Sequence, residues 1–230
     1  MQQTARTINI RPNGQSLLAE VTDVNDPEGL NRVQVKLLNY EGCDNQNGTL
    51  WARVATPFAG SNRGAFMLPD VGDEVIVTFV NGDSRYPVVI GSLWNGRDAA
   101  PETLGGGGDS IDRWTIVGKA GTRIAIEEPG SGQPRISLTT PQGQSTVITD
   151  QGGGKIECQA AGTTITVDPS GVSLQCPGKV TIQASQVEVT SGTVNVNAAM
   201  STFSGIVKCD VIIATTVVGT TYTPGAGNVW

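Results

Sequence analysis

Histidine is absent from the 230 residues. That removes imidazole-based catalytic triads, helical zinc-protease sites and most transition-metal centres, since all of them draw on a neutral imidazole. Aromatic residues make up only 5% of the chain, so a core built on large rings is excluded. The four cysteines, Cys43, Cys158, Cys176 and Cys209, are scattered without a CxxC pair, which gives zinc or redox chemistry no foothold. No apolar run is long enough for a membrane-spanning helix, and the opening MQQTARTINIRPNGQ lacks the apolar stretch of a secretory signal. The expectation is a chain made in the cytosol. Positive charge is also short: the net charge is −6 and the pI about 4.6, so nucleic acid is not an expected partner.

Carboxylate chemistry needs no histidine, and Asp73 with Glu74 and Glu127 with Glu128 are the adjacent pairs. Neighbours on a strand point to opposite faces, so these pairs read as solvated or turn residues. No catalytic residue, cofactor or metal site is expected.

What the chain has in quantity is β-branched residues in alternation. SLLAEVTDV (16–24), NRVQVKLLNY (31–40), LWARVATPF (50–58), DEVIVTFV (73–80) and YPVVIGSLW (86–94) read as strands. Turn chemistry separates them at NDPEG, QNG, PDVG and NGD. Five strands without helical periodicity predict a small barrel over residues 16–96, OB-like or SH3-like, after an N-terminal arm at 1–15. The stretch 97–113, with Pro101 and four consecutive glycines at 105–108, reads as a linker.

From Trp114 onward the chain is a succession of short strands. Taking one inward residue from each gives Ile124, Ile136, Val147, Ile156, Ile165, Val172, Val180, Val187 and Val194, with gaps of 12, 11, 9, 9, 7, 8, 7 and 7. A solenoid of fixed period would keep this spacing constant. A shrinking spacing describes strands wound about an axis whose cross-section narrows. Each strand offers only two or three small apolar side chains, too few to offset roughly 1–2 kcal/mol of backbone entropy per residue. Other copies must therefore complete the core. Three intertwined chains would direct Ile165, Val172, Val180, Val187 and Val194 at a shared axis, and closure removes exposed sheet edges. The alternatives left open by the residues are a monomeric β-sandwich and a single-chain β-helix. The expected division is a spike at 114–213 and a tip at 214–230.

The first half resembles the OB-fold domain of central spike proteins of contractile injection machines: the baseplate assembly protein V family of phages and the related valine-glycine repeat proteins of type VI secretion. The stretches that carry the likeness are DPEGLNRVQVKL (26–37), WARVATPFAG (51–60), RGAFMLPDVGDEVIVTFVNGD (63–83) and YPVVIGSLWNG (86–96). The second half resembles the family's triple-stranded β-helix. The resemblance implies an all-β, non-enzymatic homotrimeric needle, assembled in the cytoplasm into a virion or injection-particle baseplate and driven into a target cell envelope.

Departures from the family pattern carry information of their own. Type VI spikes usually hold a hub domain ahead of the barrel, and only about fifteen residues stand there in this sequence, which implies a separate hub protein. Some phage spikes carry a lysozyme domain where this chain has its glycine-rich stretch. A tip closed by iron through His-x-His motifs is excluded without histidine. Tyr222, Pro224 and Trp230 instead gather apolar surface at the end, which implies a blunt tip that accepts a PAAR-repeat cap, or a Trp230 packed back on its own trimer. A rival reading makes the barrel an oligosaccharide- or nucleic-acid-binding OB module on a β-helical stalk. A tailspike glycosidase is disfavoured because residues 115–221 hold one aromatic, Phe203.

Overall fold

Valine at every second position does in the first half what alternation requires: it fills the inside of a closed barrel. The computed structural model describes residues 16–38, 48–105, 110–130 and 132–221. Strands β1 (Leu17–Asp23), β2 (Val33–Leu37), β3 (Thr49–Val54), β6 (Glu74–Phe79) and β7 (Pro87–Leu93) form a barrel in the order β1-β2-β3-β7-β6, closed by β6 on β1. Every pairing is antiparallel except β3 with β7. This five-stranded Greek-key closure is that of an OB fold. Strands β4 (Ala59–Gly60) and β5 (Arg63–Gly64) make a small hairpin between β3 and β6.

The barrel core is small and dry. Val21, Val33, Val35, Val75, Val77 and Val89 are fully buried, joined by Leu17, Ala19, Leu37, Ala52 and Phe79. These residues sit two apart along each strand, so their partners face outward. The predicted strands run past the observed ones by one to four residues at their ends, except that β3 begins at Thr49, one residue ahead of the expected start. The third stops at Val54 because the chain turns away to form the β4–β5 hairpin.

The turn between β1 and β2 is held by one side chain. Asp26 accepts from the backbone N–H groups of Glu28, Leu30 and Arg32 and pairs with the Arg32 guanidinium at 2.8 Å. That guanidinium, with the backbone donors, holds the Asp26 carboxyl far below the usual carboxylate range. The predicted NDPEG turn is thus organised around its acid.

The stretch read as a linker is tied down at both ends. Arg97 donates to the Gly72 carbonyl (2.7 Å) and Asn95 to Glu74 (2.8 Å) on the barrel side. Glu102 binds Arg123 (2.6 Å) and Arg113 (3.3 Å) on the other. Lys119 reaches Asp70 of the barrel directly. Glycine-rich composition predicts freedom, and the charged residues Arg97, Glu102 and Arg113 within the same stretch are nevertheless held by partners.

Beyond lies a seven-stranded antiparallel meander: β8 (Arg113–Val117), β9 (Arg123–Glu127), β10 (Arg135–Thr139), β11 (Ser145–Thr149), β12 (Lys155–Ala160), β13 (Thr163–Asp168) and β14 (Gly171–Gln175), in sequence order. Its hairpins use left-handed residues, which chain reversal in two to five residues requires. Gly121, Gly143, Gly152 to Gly154, and Ala161 with Gly162 supply them in four of the six connections, and Gly171 at the start of β14 does so beside a fifth. One cross-sheet row, Thr115, Ala125, Ser137, Val147, Glu157, Thr166 and Ser173, has chain gaps that fall from 12 after Ala125 to 7 at Ser173.

The chain divides after Lys179, and residues from Val180 on form a second unit. KVTIQA, QVEVT and TVNVN, expected as strands, join no hydrogen-bonded ladder among the described residues, and every residue from Val180 to Thr221 is exposed. An extended segment needs a partner to become a strand, and the described residues of its own chain supply none. The backbone bends sharply at residues 185, 192 and 199, then at 204–205, 210, 215 and 220. The spacing is seven residues and then five.

Candidate assembly surface

The pleat of the meander sorts its residues into two unlike faces. One carries Arg113, Arg123, Ala125, Glu127, Arg135, Ser137, Val147, Lys155, Glu157, Thr166 and Ser173. The other carries two cross-strand rows. The first runs Trp114, Ile126, Ile136, Ile148, Ile156, Val167, Val172; the second runs Ile116, Ile124, Leu138, Thr146, Cys158, Ile165, Leu174. Twelve of these fourteen residues are Ile, Leu, Val or Trp, and those twelve are 39–75% exposed. Nothing among the described residues covers them.

That exposure is costly. Completing the burial of twelve half-exposed aliphatic and aromatic side chains is worth on the order of 10 kcal/mol per chain, at about 1.5–3 kcal/mol for a whole side chain. A contiguous apolar face of this extent marks an interaction surface rather than a solvated one.

The opposite face is charged and internally paired. Arg123 bridges Glu102 and Glu127 (2.8 Å) and donates to Ser137 Oγ (3.4 Å); Arg135 also pairs with Glu127. Ala125 and Ser137 are buried beneath this network. Arg135 and Arg123 hold the Glu127 carboxyl below its usual value, and Arg123 does the same for Glu102. Glu127 is therefore a structural ion-pair partner. Asp73 accepts from the Asp70 N–H in a turn, and Glu74 accepts from Asn95.

Ile165 and Val172 both lie on the open apolar face, Ile165 opposite Leu174 and Val172 opposite Val167. Val147, read from the sequence as inward, lies on the polar face between Ser137 and Glu157, and Ile148 holds the apolar position. In STVIT two β-branched residues stand side by side, so alternation alone leaves the phase open; pairing to β10 and β12 fixes it.

Val180, Val187 and Val194 sit within the second unit, each two residues after a sharp bend, with Ile182, Val189 and Val196 two further on. The same phase after the later bends falls on Val207, Ile212 and Val217, which the sequence reading passed over. Their neighbours Ile206, Ile213 and Val218 are 94–98% exposed, against 57–72% for these three. A five-residue spacing was the available signal. Tyr222, Pro224 and Trp230 lie outside the described residues, as does Cys43.

Among the described residues no cluster of three or more His, Cys, Asp or Glu could hold a metal ion, and no helix is long and apolar enough to cross a membrane. Around the β4–β5 hairpin, Phe58, Phe66 and Met67 are exposed, and Phe58 and Phe66 line, with Arg53, Arg63 and Leu68, a cleft on the barrel.

Residues 17–94 match the Type VI secretion system/phage-baseplate injector OB domain, the resemblance read from the four sequence stretches. Over 84 residues, 36% of this chain, the sequence is 33% identical to the type VI secretion system spike protein VgrG1a of Pseudomonas aeruginosa, covering 13% of that protein. Over 60 residues, 26% of this chain, it is 42% identical to the type VI secretion system spike protein VgrG3 and 38% identical to the actin cross-linking toxin VgrG1, both of Vibrio cholerae, covering 6% of each. The chain thus matches only a small part of the length of these relatives.

Proposed function

We propose, with an injector-type OB domain as the premise, that this chain is the membrane-piercing central spike of a contractile tail or phage-derived injection machine. It acts as a homotrimer, mechanically rather than catalytically. The observation that carries the reading is the meander's bare apolar face, two rows deep and interrupted only at Thr146 and Cys158, behind such a barrel. Three of these faces turned to a common axis bury one another, and the charged faces with their ion pairs become the outside. Residues 180–221 form the needle, with Val180, Val187 and Val194 each meeting its own copies across a threefold axis. The barrel is the collar; its exposed Phe58, Phe66 and Met67 support contact with a separate hub. The C-terminal Tyr222, Pro224 and Trp230 are the proposed seat of a PAAR-repeat cap.

Rigidity follows from the arrangement. Unfolding requires the separation of chains that share backbone ladders around a dry interior, so kinetic stability is high. The chain should run at three times its 23.9 kDa mass in native mass spectrometry and survive SDS without boiling. A monomer in solution overturns the reading. Labelling of intact contractile particles with antibody to this chain should mark the baseplate end; labelling of the sheath alone contradicts the spike assignment.

A further inference from the structure

We propose that the cleft beside the β4–β5 hairpin is a docking groove for an acidic, apolar segment of another protein, whose carboxylates pair with Arg53 and Arg63 while its apolar side chains lie on Phe58 and Phe66. The inference deepens the hub contact proposed above and rests on that reading for the partner's origin; the chemistry of the groove rests on the barrel alone.

The first observation is a pair of arginines without partners. Arg32, Arg85, Arg97, Arg113, Arg123 and Arg135 are each paired with a carboxylate. Arg53 and Arg63 are exposed and have no ion-pair partner among the described residues. Both line the same cleft, and no Asp or Glu stands among the residues around it. In a chain with a net charge of −6, two unpaired guanidinium groups gathered beside exposed phenylalanines are a local reversal of sign. Complementary charge across an interface selects the partner, and the planar guanidinium fork matches a carboxylate. A phosphate backbone is the less fitting polyanion, because two arginines set against the chain's overall charge supply little counterion release.

Local backbone chemistry builds the groove before any partner arrives. Gly60 faces Arg63 across the hairpin, and a Cβ there would come within 2.6 Å of Arg63 Nε; glycine leaves the arginine room to lie over the hairpin. A Cβ at Gly64 would meet the Phe58 carbonyl oxygen at 3.0 Å. That carbonyl accepts from the Ala65 N–H (3.1 Å) and from Thr56 Oγ1 (3.0 Å), which fixes the hairpin near the end of β3, where Arg53 sits. A groove already held in shape lowers the ordering cost of binding. Its volume is about 580 Å³, room for several side chains rather than one small anion.

The test is fluorescence anisotropy of the full-length chain with a labelled peptide that alternates Glu with Leu and Phe. Binding should saturate and should weaken as salt is raised. The same peptide with Gln for Glu should bind about tenfold more weakly, the loss expected when charge-assisted bonds become neutral ones. Arg53→Gln together with Arg63→Gln should lower affinity for the Glu peptide by about as much, with the thermal midpoint unchanged, since neither side chain has an ion-pair partner in the fold. Arg85→Gln, an exposed arginine outside the cleft, should leave binding as it is. No binding of the Glu peptide, equal affinity for its Gln counterpart, an equal loss with Arg85→Gln, or tighter binding of single-stranded oligothymidine overturns the groove and leaves the spike reading standing. A monomeric chain absent from baseplates removes that reading, and the partner's origin with it, while the peptide result still decides the groove.

Discussion

The barrel and the meander are made of the same material arranged to opposite ends. Both are antiparallel-rich, β-branched and alternating. In the barrel, β6 returns to β1, and six valines are fully buried by their own chain. In the meander nothing returns: β8 and β14 stay at opposite edges of the seven-stranded sheet, and two apolar rows stay bare. Valine and isoleucine alternation therefore specifies a face to be buried, while closure decides whether one chain or several bury it. A third regime follows after Lys179, where the described residues join no backbone ladder within the single chain.

The sharpest way to break this contrast is a pair of adjacent residues on β11. Ile148→Asp sets one carboxylate per chain in a proposed dry interior, where unpaired charge costs several kcal/mol per ion; the trimer should be lost in size-exclusion chromatography with the barrel still folded. Val147→Lys, one residue earlier on the face that holds Glu157, should leave the trimer intact. Equal effects from the two would show that the face assignment is wrong.

In the barrel the same logic gives a smaller, private effect. Val77→Ala should cost about 1–3 kcal/mol through lost transfer energy and a cavity, read as a lower denaturation midpoint of the barrel, without change in oligomeric state. Dissociation of the trimer by this variant would mean that the barrel core and the assembly are not independent.

The smallest effect concerns the tie between the two regions. Glu102→Gln removes the charge that holds Arg113 and Arg123, so hydrogen exchange at residues 98–105 and 110–112 should quicken while the barrel and meander cores keep their protection. Acid should act in the same direction. Glu102 and Glu127 have folded pKa values below the ordinary 4.5, so their stabilisation is complete above that value and is lost as pH falls through the lower folded values. Protection factors at these residues, taken relative to intrinsic exchange at each pH, that do not fall as pH drops below 4.5 would contradict the role given to these pairs.

How much was legible in advance follows from which interactions are local. The five barrel strands were readable because each is bounded by turn chemistry, such as the Asp26 loop and the Asn81–Gly82 turn with its left-handed residues. Ile165 and Val172 were readable as partners on one face because alternation in their strands is unambiguous. Val147 was not, since STVIT fits either phase. The grip of Glu102 on Arg123 was invisible, because residues 21 apart in sequence meet only when the sheet is built.

By itself, then, the sequence determined the all-β class, the turn positions, the lack of histidine chemistry and the presence of more apolar strand surface than one chain can cover. Those are matters of composition and of nearest neighbours along the chain. Only the tertiary structure decided which face of β11 is apolar and that Glu102, ahead of the glycines, grips Arg113 and Arg123. Strand phase, ion pairing and chain direction are set by groups distant in sequence, and they exist only once the strands are laid side by side.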